Sequence, residues 1–428
     1  MFLPPSYGGR CRRRMGARAE GAQERPHPAL RATFSRFAGE GSGRRRHRFG
    51  TTPMRVTRLT LRDLRCLREA ELSPGPGLNL LVGGNGAGKT SVLEGLHLMA
   101  YGRGFRGRVR DGLVRTGGEA LQVFVEWSEG GDGRLRRAGL RHAGQAWEGR
   151  LDGTPVAQLG DLCAALMAVS FEPGSHALIS GGSEPRRRLL DWGLFHVEQD
   201  FLPLWRRYAR ALKQRNALLK AGARDGQLDS WDHELAEAGE PLSRRRRAYL
   251  DRLQQRLPRL MDELGPGLGA ARMDYQAGWR SEELCLADAL LVARDRDRAA
   301  GHTSVGPHRA DWRLGFAAKP AGEALSRGQA KLAALGCLMT QAADCADSRN
   351  GDWPVILLDD LASELDCEHQ QRMLAFLQRS GAQVFITGTE LPARWPVADM
   401  RLFHVEQGAI QPIAGPAGAP TAAGSELL

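Results

Sequence analysis

The eight residues from Gly83 to Thr90 constrain this chain more than any other stretch. They read Gly-Gly-Asn-Gly-Ala-Gly-Lys-Thr, between an apolar run that ends at Val82 and a helically spaced run that begins at Ser91. Glycines let backbone N–H groups turn inward around phosphate oxygens, and a helix beginning near Lys89 adds the positive end of its dipole. The pattern therefore predicts a phosphate-binding loop between a strand and a helix.

Two side chains of this loop have specific chemical roles. Lys89 would reach the β- and γ-phosphates of ATP, and the Thr90 hydroxyl would bind Mg²⁺. Glycine makes 53 of 428 residues, so a glycine-rich turn without function is the alternative, but lysine makes only five of the 60 basic residues. The residues predicted to bind ATP are Gly83, Gly84, Asn85, Gly86, Ala87, Gly88, Lys89, Thr90 and Ser91.

A second acidic group for the metal follows a later apolar run. Val355–Leu358 is typical of a buried strand, and Asp359 and Asp360 come directly after it. Asp359 is predicted to hold Mg²⁺ together with Thr90, and Asp360 to polarise the attacking water as a general base. A strand that ends in a solvated acidic turn is the alternative. The catalytic residues that these two motifs predict are Lys89, Asp359 and Asp360.

Composition excludes several classes of protein. Apolar residues make 42% and charged residues 25%, as in globular proteins, and no run approaches the roughly 18 apolar residues of a membrane span. The seven cysteines are scattered without a Cys-x-x-Cys pair, so we expect no disulfide framework, and a cytoplasmic location. The net charge of +11 comes mostly from an arginine-rich stretch over residues 1–53.

Changes in pattern divide the chain. Residues 1–53 show no sustained period and are predicted to be a disordered basic tail or a mis-assigned start, with a basic arm and a targeting segment as alternatives. Residues 198–299 contain two arginine- and leucine-rich segments at helical spacing, which predict a short helical arm. The arm separates residues 54–197 from 300–412, and residues 413–428 are expected to be a flexible tail.

The segment Leu325-Ser326-Arg327-Gly328-Gln329 precedes an alanine- and leucine-rich helix. A serine at a helix start is an N-cap ready to meet an anion, with a capped surface helix as the alternative. This segment resembles the signature motif of ABC-type ATPases, and Asp359–Asp366 resembles their Walker B and D-loop. The resemblance implies an α/β fold: an ABC-type P-loop ATPase head of mixed β-sheets with flanking helices, plus the inserted arm. It also implies a homodimer in which Ser326, Arg327, Gly328 and Gln329 act in trans on the partner's ATP, with Ser326 as a further catalytic residue.

The spacing of these motifs indicates the branch of that superfamily. Lys89 and Ser326 are 237 residues apart, more than transporter nucleotide-binding domains use. From Met54 to Pro412 the chain resembles the RecF family of bacterial DNA replication and repair proteins. The resemblance is carried also by Gly102–Arg106, Glu184–Trp192, Leu212–Asn216, Thr303–Arg309 and Phe403–Gly408.

The RecF resemblance implies an ATP-driven dimer that clamps duplex DNA at single-strand/double-strand gap junctions. It implies help in recombinase loading, in SOS induction and in replication restart, together with recombination mediator proteins and without a membrane. Slow, DNA-stimulated ATP hydrolysis would open the clamp. The alternatives are an ATPase subunit that energises a transport or nuclease complex, and a nucleotide-gated scaffold with negligible turnover.

Other residues depart from the pattern or carry weaker predictions. Asp360 stands where most ABC ATPases carry Glu, Thr387 takes the place of the switch-loop His, and no Q-loop Gln can be assigned. His308 and Arg309 would lie near nucleotide or DNA, or form a hydrogen-bonded turn. Five arginines are candidate DNA contacts because guanidinium groups match phosphate oxygens, with a solvated surface as the alternative. They are Arg103, Arg106, Arg186, Arg187 and Arg188.

Overall fold

The computed structural model describes residues 54–105, 112–129, 133–144, 146–319, 325–391, 395 and 400–413. The strands are β1 (Arg55–Leu64), β2 (Leu67–Leu72), β3 (Leu78–Val82), β4 (Leu121–Ser128), β5 (Leu135–Ala143), β6 (Ala146–Leu151), β7 (Thr154–Val156), β8 (Ala168–Phe171), β9 (Ala271–Gln276), β10 (Asp311–Phe316), β11 (Val355–Leu358), β12 (Val384–Gly388), β13 (Met400–Glu406) and β14 (Ala409–Ile413). The helices are α1 (Lys89–Tyr101), α2 (Leu159–Ala165), α3 (Ala177–Ser180), α4 (Ser183–Val197), α5 (Phe201–Lys220), α6 (Asp225–Leu264), α7 (Leu286–Val292), α8 (Arg294–Ala300), α9 (Arg327–Ser348), α10 (Leu361–Glu364) and α11 (Cys367–Ser380). Short 3₁₀ turns lie at Pro266–Leu268 and Pro307–Arg309.

A six-stranded sheet in the order β14-β13-β3-β12-β11-β8 carries the predicted nucleotide motifs. Its strands run parallel to one another except β14, which pairs antiparallel with β13 at one edge. Strands β3, β8, β11 and β12 are buried along their whole length, which explains their continuous apolar sequences. Because these strands are parallel, their carboxyl ends meet at one edge of the sheet.

A second six-stranded sheet is antiparallel, in the order β2-β1-β4-β5-β6-β7. Strand β4 alternates buried and more exposed residues, as expected where only one face packs on a core. Helix α1 contacts β1 and β4 of this sheet and β8 and β12 of the parallel one. The helix that follows the phosphate-binding loop therefore lies in the core between the two sheets.

Helices α5 and α6 confirm the predicted pair of helices joined by a turn. They contact one another, and α6, with 40 residues, is about 60 Å long. Helix α6 also packs against α9 at Gly336, where an added Cβ would lie 2.2 Å from the Met261 sulfur. The closeness of this contact requires glycine and joins the long helix to the helix that begins at the signature segment.

The region 198–299 contains more than helices. Strand β9 from this region pairs along its length with β10, which lies beyond the predicted boundary at residue 300. Short apolar runs alternating with glycine turns over residues 120–180 predict β structure, and this region does hold strands, but it also contains helices α2 and α3. The architecture is the predicted α/β head of mixed sheets with flanking helices, while the domain boundaries remain a prediction.

Candidate nucleotide-binding site

The predicted phosphate-binding loop leaves the carboxyl end of β3 and enters α1. Gly86 has a φ of 79° and Gly88 a φ of 114°, conformations that favour glycine. An added Cβ on Gly83 would lie 2.1 Å from the carbonyl oxygen of Val405, so the loop presses on β13. Gly84, Asn85 and Gly86 are exposed, so the loop opens to solvent as an incoming phosphate requires.

Lys89 curls back over this loop. Its ammonium donates hydrogen bonds to the carbonyl oxygens of Gly83 at 2.7 Å and Gly84 at 2.8 Å. Burial lowers the pKa of Lys89, and the charges of Asp360 and Asp359 oppose that shift. The ammonium thus lies among the loop carbonyls and near both carboxylates, where it can meet a polyphosphate.

Asp359 lies at the same edge of the sheet, at the end of β11. Its two oxygens accept hydrogen bonds from the Thr90 hydroxyl, at 2.9 and 3.1 Å. The Thr387 hydroxyl donates to Asp359 Oδ1 at 2.7 Å and accepts from the Asp360 N–H at 2.8 Å. Since β12 lies between β3 and β11, Thr387 fills the space between the loop and the carboxylate.

The carboxylate of Asp359 is only 2% exposed, and within the described residues no basic side chain forms an ion pair with it. Burial raises its pKa, and the two hydroxyl bonds oppose that rise. In the described ranges no group of three or more His, Cys, Asp or Glu side chains could hold a metal. Mg²⁺, however, prefers oxygen ligands and is usually bound by one or two protein groups, with phosphates and water at its other coordination positions. The hydroxyl of Thr90 and the carboxylate of Asp359 fit such a magnesium ion, with nucleotide phosphates as further ligands.

Asp360 differs from its neighbour. Its backbone is left-handed, with a φ of 52°, and its side chain is half-buried. Its Oδ2 accepts a hydrogen bond of 2.5 Å from the Ser363 hydroxyl. The charge of Asp360 acts on both Lys89 and Asp359, so this carboxylate lies near the predicted metal site.

Ser326 begins α9 at the solvent surface. Its hydroxyl oxygen accepts from the Gln329 N–H at 3.2 Å, while the Gln329 side chain accepts from the Ser326 N–H at 3.0 Å, a capping box. The hydroxyl hydrogen remains available for an external acceptor. Within the described residues no hydrogen bond joins Ser326 to the loop of its own chain.

Sequence reasoning missed Glu172. It follows β8, whose Phe171 pairs with Leu358 and accepts a hydrogen bond from the Asp359 N–H at 2.9 Å. Burial raises the pKa of Glu172 to about 7, the Arg103 charge opposes the rise, and Asp359 adds to it. Only the parallel pairing of β8 with β11 brings this carboxyl to the site, and no local pattern announces that pairing.

The arginines predicted to bind DNA have different environments. Arg186 donates to both oxygens of Asp311, at 2.6 and 3.0 Å, and Arg187 donates to the Ala310 carbonyl at 2.8 Å. All three guanidinium nitrogens of Arg186 and one of Arg187 therefore have partners inside the chain, which favours a structural role for both and leaves their contact with DNA untested. Arg188 pairs at the surface with Glu184.

Arg103 forms no hydrogen bond or ion pair with a described residue, and burial and the Arg188 charge lower its pKa. The remaining candidate, Arg106, lies outside the described residues.

His308 lies in a turn rather than at an open face. Its Nδ1 bonds with the Tyr208 hydroxyl at 2.7 Å and its Nε2 with the Thr303 carbonyl at 3.0 Å. Burial lowers the pKa of His308 to about 4, so the ring is neutral near pH 7. Of the two alternatives for this residue, the geometry favours the hydrogen-bonded turn. Arg309, beside it, is exposed.

Comparison with known proteins adds independent findings. Residues 55–394 match the family described as RecF/RecN/SMC N terminal domain. The chain is 65% identical over 361 residues to the DNA replication and repair protein RecF of Stenotrophomonas maltophilia, a match that covers 83% of this chain and 99% of that protein. The corresponding protein of Thioalkalivibrio sulfidiphilus is 38% identical over 362 residues, 84% of this chain and 99% of that protein.

The chain belongs to the RecF family.

Solved RecF-family structures share the fold. One described as the recombination mediator protein RecF with ATP in the RecFOR pathway superposes with a TM-score of 0.77 at 25% identity, covering 86% of this chain and all of that one. An Smc head bound to the winged-helix domain of ScpA superposes with a TM-score of 0.51 at 14% identity, which supports the fold alone. Membership of this family supports ATP binding and ATPase activity by this chain. In the part of the chain described here, no helix has the length and apolarity to cross a membrane.

Proposed function

We propose that this RecF-family chain is an ATP-dependent DNA repair protein in which two copies close on ATP and retain duplex DNA. The single observation that carries the proposal is that Ser326 is exposed and that, within the described residues, no hydrogen bond joins it to the loop of its own chain. The loop with Thr90 and Asp359 forms one half-site, and the exposed hydroxyl of Ser326 forms the other. Two copies related by a twofold axis would complete two identical nucleotide sites.

Each residue of the proposed site would have a distinct chemical role. Lys89 and the loop N–H groups would bind the β- and γ-phosphates, and Ser326 of the partner would donate its hydroxyl to the γ-phosphate. Mg²⁺ held by Thr90 and Asp359 would neutralise phosphate charge. Asp360 would accept a proton from the attacking water. ATP binding is then linked to dimerisation, and hydrolysis to its reversal.

The proposed DNA task follows the names of the relatives, which are DNA replication and repair proteins. By the same resemblance the substrate would be duplex DNA at gap junctions, with recombination mediator proteins as partners.

We propose Arg103 and Arg188 as phosphate contacts, because neither is anchored as Arg186 and Arg187 are. Alanine at either position should weaken DNA binding and flatten its dependence on salt. An unchanged salt dependence would remove both residues from the DNA interface.

The decisive experiment measures molecular mass by light scattering with ATP, ADP or no nucleotide, each with and without gapped duplex DNA. We expect a shift from monomer to dimer with ATP alone, strengthened by DNA. Lys89→Met should abolish the shift, whereas Lys213→Met, the same change on an exposed face of α5, should leave it intact. A mass that nucleotide does not change would contradict the composite site.

ATP turnover with and without DNA separates the clamp from a scaffold with negligible hydrolysis. A DNA-stimulated rate supports the clamp. A rate at background in both conditions would leave nucleotide gating without turnover. No described feature favours a transport or nuclease complex, and the 237-residue distance between Lys89 and Ser326 argues against a transporter subunit.

A further inference from the structure

The segment that follows Asp360 is held from two sides. We name Leu361–Asp366 the D-loop segment; it comprises α10 and the two residues after it. Leu361 is fully buried. From α11, the side-chain amide of Gln370 donates to the carbonyl oxygens of Ala362 at 3.0 Å and Leu365 at 2.7 Å. These bonds fix one side of the segment within the head.

The other side of the D-loop segment is held by a charge from the signature helix. The ammonium of Lys331, on α9, lies 2.6 Å from Glu364 Oε2, with side chains 26% and 12% exposed. Lys331 is five residues after Ser326, about one and a half turns into the same helix. Glu364 is four residues after Asp360. The ion pair therefore joins the two elements that carry the proposed trans and cis groups.

In the dimer of the proposed function, on which this inference rests, each chain would give Ser326 to one nucleotide site and Asp360 to the other. We propose that the Lys331–Glu364 ion pair is a positioning contact that couples the two sites, because it fixes the orientation of the signature helix relative to the D-loop segment. Without this ion pair, ATP binding at one site would no longer set the positions of both Ser326 and Asp360, which the same chain gives to two different sites.

The chemistry of the pair suits a coupling role. Both side chains are shielded enough that water screens their attraction less than it screens a surface pair. Each sits on an element that is otherwise anchored by packing, α9 through Gly336 and α10 through Leu361. A change in the position of either element is therefore transmitted through a short polar contact. Because the interaction depends on opposite charges, exchanging the two residues should preserve it.

The test measures ATP-driven dimerisation of the full chain by light scattering and ATP binding to the monomer with a fluorescent ATP analogue. We expect Lys331→Met and Glu364→Gln each to weaken the ATP-dependent dimer at least about tenfold, with monomer affinity for the analogue unchanged. The exchange Lys331→Glu with Glu364→Lys should restore dimerisation to within about threefold of the unmodified chain. An exchange variant no better than the single variants overturns the proposal.

A matched control separates coupling from stability. Arg136, on the antiparallel sheet, pairs with Glu129 at 2.7 Å and with Asp152 at 2.9 Å, and the three side chains are 18%, 28% and 34% exposed. Because it loses two partners, we expect Arg136→Met to lower the melting temperature at least as much as Lys331→Met while its ATP-driven dimer is unchanged. If Lys331→Met also dimerises normally, the ion pair is only structural and the inference is wrong. If the unmodified chain itself does not dimerise with ATP, the proposed function has failed instead.

Discussion

Two buried carboxylates in this molecule have opposite surroundings. Asp359, at the nucleotide site, is met by the hydroxyls of Thr90 and Thr387. Asp297, at the base of the helical arm, is met by the guanidinium of Arg215 at 2.6 Å and the Ser304 N–H at 2.9 Å. The charge of Asp297 is neutralised by an arginine of the same chain, whereas Asp359 has no such ion pair among the described residues and can bind a cation from solution.

The difference extends to the neighbours of each carboxylate. Around Arg215 the chain brings together Asp232, Asp297 and the hydroxyl of Thr303, and Arg294 adds a second cation against Asp232. Around Asp359 the nearby charged groups are Lys89, which bonds to carbonyls, and further acids. Buried charges that are paired organise the arm, whereas an unpaired buried carboxylate marks a place where a ligand is expected.

The largest effect is expected from breaking the paired region. Arg215→Met leaves Asp232 and Asp297 buried without their cation and should lower the free energy of unfolding by about 3–5 kcal/mol. Arg207→Met on the same helix is the control, because its pair with Glu234 is exposed and worth less than about 1 kcal/mol. Urea denaturation measures both. Equal losses for the two variants would contradict the distinction.

The second prediction concerns the unpaired carboxylate. Asp359→Asn should reduce ATP hydrolysis on the order of 100-fold, because the amide cannot hold the cation. The same change should leave the stability of the nucleotide-free protein unchanged or raise it, since burial already disfavours the charge of Asp359. Asp191→Asn is the control: it breaks the buried pair with Arg246 and should destabilise the protein. Asp359→Asn would refute the comparison by losing as much stability as Asp191→Asn.

The sequence alone predicts the parts of the site that are continuous in the chain. Strand β3 ends at Val82 as predicted, and the helices beginning at Lys89 and Arg327 follow their motifs. The strand before Asp359 is found at Val355–Leu358. These features are local, because a glycine loop, an apolar run or an N-cap is determined by neighbours within a few residues.

Features that depend on distant pairing were not predicted. Glu172 reaches the site only because β8 is the neighbour of β11, and the hydrogen bond from Thr387 to Asp359 forms only because β12 lies beside β11. Arg186 resembled a phosphate contact until Asp311, 125 residues away, proved to be its partner. The local sequence of an arginine run does not show whether a distant part of the chain supplies acidic partners for it.

The smallest effect, and the sharpest test of the comparison, comes from Glu172. Its pKa rises from the ordinary value of 4.5 to about 7, chiefly through burial, so the folded chain holds a proton that the unfolded chain has lost between those values. The contribution of Glu172 to the free energy of unfolding is therefore fully present below about pH 4.5, and it is lost as the pH rises through about 7. Glu172→Gln should make the nucleotide-free protein roughly 2 kcal/mol more stable than the parent at pH 8 and leave it near parity at pH 5.

Denaturation of both proteins at pH 5 and pH 8 measures this difference, and groups that titrate alike in the two proteins cancel. Glu184→Gln supplies the control, because this acid on α4 is exposed and pairs with Arg188 at the surface, and it should show no such pH-dependent gain. A gain for Glu172→Gln confined to high pH would place this carboxyl with Asp359, among charges that the fold leaves unneutralised. A loss at pH 8 would instead show that Glu172 is stabilised as an anion, by Arg103, and belongs with the paired charges of the arm.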